Sequence, residues 1–258
     1  MPRRTRNWLD CSCYHLTHRC LDRNYFFEHS ITRDTYMKEL REMIERFKID
    51  ILDYIVTSNH VHLLVYAGKG TEIAMGMQYL QGRMAQRYNM LRGREGAFWS
   101  GRYHATLIEN GIHLSQCMFY IDYNMMRSGI VSHPSEWKHS GYHELCGAKM
   151  RYMIINKRKL LSRLGMSGED NRFKEWYVRT IDSKSSIYMK RVEYWTESLA
   201  VGDESWIGKI KGLIGYKRLR VVAAESEKSV HYTEDQSRSF FVNEQKTPYL
   251  LYLHLSFI

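Results

Sequence analysis

No Gly-x-x-x-x-Gly-Lys-Ser/Thr run occurs in this chain, so nothing in it points to nucleotide hydrolysis. It also lacks any stretch of eighteen apolar residues, which argues against a membrane-spanning helix. The basic amino end, Pro2-Arg3-Arg4-Thr5-Arg6, has no apolar run behind it and does not read as a signal peptide. A soluble, cytoplasmic protein is expected. Five cysteines, at 11, 13, 20, 117 and 146, form no Cys-x-x-Cys pair, and their odd number argues against a fully bridged secreted scaffold. They read as reduced thiols. Repeats and low-complexity segments are absent too, and with 44% apolar residues the chain supports one core plus a smaller helical module.

Positive charge is what the chain has in excess. A formal +10 over 258 residues, with a pI near 9.3, would speed association with a polyanion and make binding salt-dependent. The local pattern says more. Arg83, Arg87, Arg92, Arg94 and Arg102 are interleaved with Tyr79, Tyr88, Trp99 and Tyr103, which suits a surface that holds phosphates and stacks unpaired bases. The same arginines also fit the solvated face of an amphipathic helix. Arg3, Arg4 and Arg6 fit an arm that enters a groove or clasps a hairpin, or equally a ragged basic terminus.

Hydrophobic periodicity organises the first half. Residues 8–18 read as a strand, and Thr32 to Phe47 as a helix with Tyr36, Leu40, Ile44 and Phe47 on one side. Ile49 to Thr57 and Val61 to Tyr66 read as adjacent strands. Gly70 opens a second helix reaching Leu91, with Thr71 as its cap. Tyr103 to Glu109 is a further strand, and a third helix follows Asn110-Gly111 until Gly129 and Pro134 stop it. The order βαββαβα predicts an α+β fold: a ferredoxin-like (RRM-like) antiparallel sheet with helices on one face and one added helix. Residues 150–225 read as a mostly helical extension, with Trp206, Ile210 and Leu213 as an apolar stripe and Lys209, Lys211, Lys217, Arg218 and Arg220 as a basic cluster. Ser239 to Asn243 and Tyr249 to Ile258 are apolar enough for a docking strand or helix, or for the core.

Within the second strand pair, Thr57-Ser-Asn-His-Val-His-Leu-Leu-Val65 places His60 and His62 two residues apart, so both imidazoles project from one face. Alone, such a pair is more readily structural or incidental than metal-binding. Tyr120 and Asn124, four apart on the third helix, would bring a phenol and an oxygen ligand to the same side. His15 and His18 face opposite ways in a regular strand and read as structural, although His18 could approach the site. Tyr123 reads as core or base-stacking, Cys117 as packing, and His104 fits either phosphate contact or solvent.

These stretches carry a family likeness. YHLTHRC at Tyr14, NHVHLLV at Asn59, FWSGRYHATLI at Phe98 and FYIDYNMMRSGIV at Phe119, with Trp137-x-x-Ser, resemble the HUH single-tyrosine transposases, most closely the REP-associated tyrosine transposases. The likeness covers roughly the first 145 residues and implies a catalytic domain over 1–148, with 149–258 a helical DNA-binding or packing module. By resemblance, His60, His62 and Asn124 hold Mg²⁺ or Mn²⁺ and Tyr120 is the nucleophile. Arg3, Arg4, Arg6, Arg83, Arg87, Trp99, Arg102 and Tyr103 are the expected nucleic-acid contacts. The implied reaction is cleavage and rejoining of single-stranded hairpin DNA through a 5′-phosphotyrosine. The chain has Asn124-Met125-Met126 where the family tends to have Asn-Pro-Val, which alters the exit of the helix and not the ligand. A non-catalytic hairpin-binding protein and a metal-dependent nuclease that uses water are the alternatives. Family members act as monomers or dimers, so a homodimer stays open.

Overall fold

The computed structural model describes residues 6–184, 186–214, 220–224 and 250–254. Strand β1 (Ser12–Arg19) leads to α1 (Ser30–Phe47), β2 (Asp50–Val56), β3 (His60–Ala67), α2 (Gly70–Arg92), β4 (His104–Ile108) and α3 (Ile112–Asp122). Helix α4 (Asn124–Arg127) continues α3 beyond Tyr123. The first four strands pair antiparallel in the order β2-β3-β1-β4, which is the ferredoxin-like arrangement read from the sequence.

Strand alternation assigns the faces. His18 Nε2 lies 2.8 Å from the Tyr36 hydroxyl of α1, so its face is the one that α1 and α2 cover. Tyr36, Leu40 and Met43 form the buried stripe of α1, whereas Ile44 and Phe47, expected there, are only partly buried. Helix α1 stops at Lys48, which takes the left-handed conformation at φ 55°. At the start of α2, Thr71 does not cap. The Glu72 carboxylate instead accepts the Lys69 amide at 3.1 Å, satisfying a donor that the first turn leaves open. Where α2 packs on the end of α1 and the entry to β2, a Cβ on Gly76 would lie 2.6 Å from Ile49 Cδ1 and 3.2 Å from Met43 Cγ, so a side chain there would crowd both.

After α5 (Tyr142–Leu145), the extension supplies α6 (Lys157–Leu164), α7 (Asp170–Asp182), α8 (Ser186–Met189), α9 (Tyr194–Glu197) and α10 (Glu204–Ile214). It also returns to the sheet, which the helical reading of 150–225 did not anticipate. Strand β5 (Ala200–Gly202) adds parallel to β4, and β6 (Arg220–Ala224) and β7 (Leu250–His254) continue the sheet in the order β5-β7-β6. Three residues are too few to display a period of two, so β5 left no alternation to read. In α10 the buried residues are Ile207 and Ile210, while Leu213 is 69% exposed; the apolar stripe lies beside the one expected. Lys217, Arg218 and the 239–243 stretch lie outside the described residues, as do Tyr249 and residues 255–258. Among the described residues no helix is long and apolar enough to cross a membrane.

Beside α3, Asp53, Asp122 and Glu144 are all buried. Glu144 accepts from the Tyr54 hydroxyl at 2.9 Å, the amides of Ile154 and Ile155 at 2.7 and 2.8 Å, and Lys149 at 2.7 Å. Asp122 accepts from the Tyr177 hydroxyl at 2.8 Å. Burial pushes Asp122 up to about 7, and burial followed by the neighbouring Asp122 charge raises Asp53 as well. A carboxyl with a raised folded-state pKa binds its proton more tightly folded than unfolded. Its contribution to stability is therefore complete at acid pH and is lost as pH climbs toward about 7. Asp122→Asn should remove this dependence. In urea titrations the variant is expected to gain on the wild type with rising pH, at up to about 1.4 kcal/mol per unit, and parallel curves would refute the assignment.

Candidate active site

The register of β1 against β3 sets Thr17 opposite His62 and Arg19 opposite His60. His15, Thr17, Arg19, His60 and His62 consequently share the face turned away from α1. His60 Nδ1 lies 2.7 Å from Asn59 Oδ1 and 2.9 Å from Thr57 Oγ1. His62 Nδ1 lies 2.8 Å from His15 Nε2, and His62 Nε2 lies 3.2 Å from the side-chain amide nitrogen of Asn124. The two imidazole centroids are 5.0 Å apart, and Asn124 reaches His60 as well. Each ring thus spends Nδ1 on the protein and leaves Nε2 for the space beside Asn124.

Both rings are neutral. Burial chiefly, then Arg19, Arg127 and Arg191, pushes His60 down to about 3, while burial and then His15 hold His62 well below the ordinary imidazole range. Neutral imidazoles with bare nitrogens, next to an amide that can present oxygen, form a donor set that fits a divalent ion and leaves positions for phosphate or water. Among the described residues no group of three or more histidine, cysteine or carboxylate side chains gathers to hold a metal, so an ion here would take two imidazoles and an amide.

Helix α3 lays Tyr120 over the same face. Its ring is 4% exposed and sits 6.1 Å from the rings of His62, His15 and Trp195. Arg127, one turn beyond Asn124, stacks its guanidinium 4.1 Å from the Tyr120 ring centroid. It donates to the carbonyls of Tyr120 at 2.6 Å and Tyr188 at 2.9 Å. Burial raises the Tyr120 phenol, and Arg127 and Arg191 oppose that rise. The structure thus brings Tyr120, His60, His62 and Asn124 together on one face.

The expected nucleic-acid contacts do not gather in this way. Arg83 and Arg87 both pair with the buried carboxylate of Glu39 between α1 and α2, on the far side of the sheet, so their first task is to neutralise that charge. Trp99 stacks on His18 at 4.2 Å and donates to the Gln81 carbonyl at 3.0 Å. Tyr103 is buried, with Arg6 over its ring at 4.1 Å, and Arg102 is exposed at the head of β4. Arg3 and Arg4 lie outside the described residues. His18 points away from the site, and His15 faces it. His104 is bound to the Ser198 carbonyl at 2.8 Å rather than to solvent. Tyr123 is fully buried and donates to the carbonyls of Thr180 and Ile181 at 3.0 and 2.9 Å.

Sequence reading missed Arg19, Arg127, Arg191 and Trp195. Arg127 had a signal, being seven residues after Tyr120 and three after Asn124 on one helical face. Arg191 and Trp195 had none, since only the folded extension brings them to the site.

No curated protein sequence matches the chain. Among solved structures, a REP-associated tyrosine transposase bound to a REP hairpin is similar at 15% identity, covering 57% of this chain and 86% of that one, with a TM-score of 0.49. A Deinococcus radiodurans R1 protein assigned as a transposase is similar at 20% identity, covering 40% and 83%, with a TM-score of 0.32. A family model described as "Transposase IS200 like" matches residues 10–124. That span opens just before β1 and closes on Asn124, taking in every strand and helix that assembles the four-residue site, and over it the chain matches the IS200-like transposase family.

Proposed function

We propose that the protein cleaves and rejoins single-stranded DNA at a folded hairpin, with Tyr120 as nucleophile and His60, His62 and Asn124 holding Mg²⁺ or Mn²⁺. The observation that carries this reading is the convergence of the phenol, the two bare imidazole nitrogens and the amide on one face of the sheet. The hairpin preference follows the likeness of the four sequence stretches.

The bound ion would polarise the scissile phosphate and offset charge in the transition state. The chain's own residues supply the rest. The Tyr120 oxygen attacks phosphorus and the 3′ oxygen leaves, giving a 5′-phosphotyrosine and a free 3′-hydroxyl. Attack by a 3′-hydroxyl on that linkage restores the phosphodiester and frees the tyrosine. One phosphodiester is exchanged for another, so no ATP is required. Arg127, Arg19 and Arg191 surround the phenol and His60 with positive charge, which favours both the phenolate and an incoming phosphate. Arg102, exposed at the head of β4, and Arg6, lying over the Tyr103 ring, are the remaining contacts best placed to meet DNA, with Tyr103 and Trp99 buried behind them.

The test is a denaturing gel of labelled single-stranded hairpins taken from the gene's flanks, incubated with the protein and Mg²⁺ or Mn²⁺. A covalent protein–DNA adduct that needs the metal, and disappears with EDTA or in His62→Ala, is expected. Cleavage with no adduct would replace this reading with a water-using nuclease. Tight binding with neither product would leave a hairpin-binding protein.

A further inference from the structure

We infer that His15 is a positioning residue that fixes the tautomer of His62, taking its reference from the backbone carbonyl of Trp195 in the extension. The inference rests on the reading of His62 as a metal ligand. His15 Nδ1 lies 2.8 Å from the Trp195 oxygen. A carbonyl only accepts, so His15 carries its proton on Nδ1 and a neutral His15 has a bare Nε2. That bare nitrogen lies 2.8 Å from His62 Nδ1, with the two rings stacked 14° from parallel. His62 must therefore be the donor, with its proton on Nδ1 and its Nε2 lone pair directed at Asn124. The far end agrees: the group within 3.2 Å of His62 Nε2 is the amide nitrogen of Asn124, a donor.

The direction of this relay is set from outside the imidazoles. The Thr106 hydroxyl, on β4, is shared between the Ser198 carbonyl at 2.9 Å and the Trp195 oxygen at 3.2 Å, which ties this segment to the sheet. His60 reaches the same state by a local route. Thr57 Oγ1 donates to the His60 carbonyl at 2.8 Å, so it and Asn59 Oδ1 accept from His60 Nδ1 and leave that Nε2 bare too. A ligand histidine held by a second group loses affinity when that group is removed. His15 differs from the local partners of His60 in that its own acceptor comes from 180 residues further along the chain.

Two measurements test the relay. In metal-free protein, ¹⁵N NMR of the imidazoles should place the His62 proton on Nδ1, and a proton on Nε2 would overturn the proposal. Titration with Mn²⁺ followed by electron paramagnetic resonance should show His15→Phe binding about 10–100-fold more weakly. His15→Gln, whose amide can donate to the Trp195 carbonyl and accept from His62, should stay within a few-fold of wild type. A folded His15→Phe with wild-type affinity would also overturn the proposal. If that variant does not fold, the tautomer of the wild type and the affinity of His15→Gln decide. Wild-type protein with the Nδ1 proton in place but no Mn²⁺ binding would support the relay while refuting the metal reading.

Discussion

Tyr120→Phe is expected to abolish the covalent adduct and to slow strand cleavage by more than about a thousandfold, with hairpin affinity within a few-fold of wild type. Phenylalanine keeps the ring that packs against His62, His15 and Trp195 and removes only the hydroxyl, so the fold should not suffer. Tyr123 does not stand in reserve. The Tyr123 hydroxyl is committed to two backbone carbonyls, and no rotation within a fully buried site would free it. The comparison is a gel of wild type and variant on one hairpin, with melting temperatures as a control. Persistence of the adduct would move the attacking group elsewhere, and persistence of cleavage without an adduct would pass that role to water.

Arg127→Gln should cost about 10²–10³ in the rate of adduct formation, measured in single turnover with hairpin affinity measured separately. Burial pushes the Arg127 guanidinium down to about 10, which leaves it cationic at neutral pH. A cation 4.1 Å from the Tyr120 ring centroid stabilises the phenolate, and in a buried site that attraction is little screened. Arg127→Lys should fall between the two, because it retains the charge but loses the fork that holds two carbonyls at once. A variant that binds DNA weakly but reacts at the normal rate once bound would reduce Arg127 to a binding contact.

The convergence of the four site side chains was legible because it is built from local rules. Two residues apart on a strand and four apart on a helix are spacings a reader can apply without a structure, and His60, His62, Tyr120 and Asn124 obey them. The same rule separated His15 from His18 but favoured His18 as the one to approach the site, and the structure reverses that, since the facing residue depends on which helices cover which face. The arginine pattern was open to two readings for a related reason. Arg83 and Arg87 look like a basic surface until α1 packs against α2 and brings the buried Glu39 to them, 44 residues from Arg83 in the chain. Trp195 and β5 were illegible because their roles reside in backbone carbonyls and in a pairing three residues long.

The parallel docking of β5 on β4 has a consequence for how copies of this chain can associate. An unpaired outer strand offers a row of amides and carbonyls to any passing strand, and sheets commonly dimerise or aggregate along it. On β4 that row is occupied from within: the amides of Leu107 and Glu109 donate to the carbonyls of Leu199 and Val201. The opposite edge is interrupted too, where Val56 and Tyr54 of β2 bond to His139 and Gly141, and Asn156 bonds to Ile51. The four-stranded core is thus sealed along both margins by its own polypeptide. Continuation of the core at either margin would first have to peel away the segment that carries Trp195 to Tyr120 or the one that shields β2, so pairing between copies on the β4 side would fall to β6, the last strand of the seven.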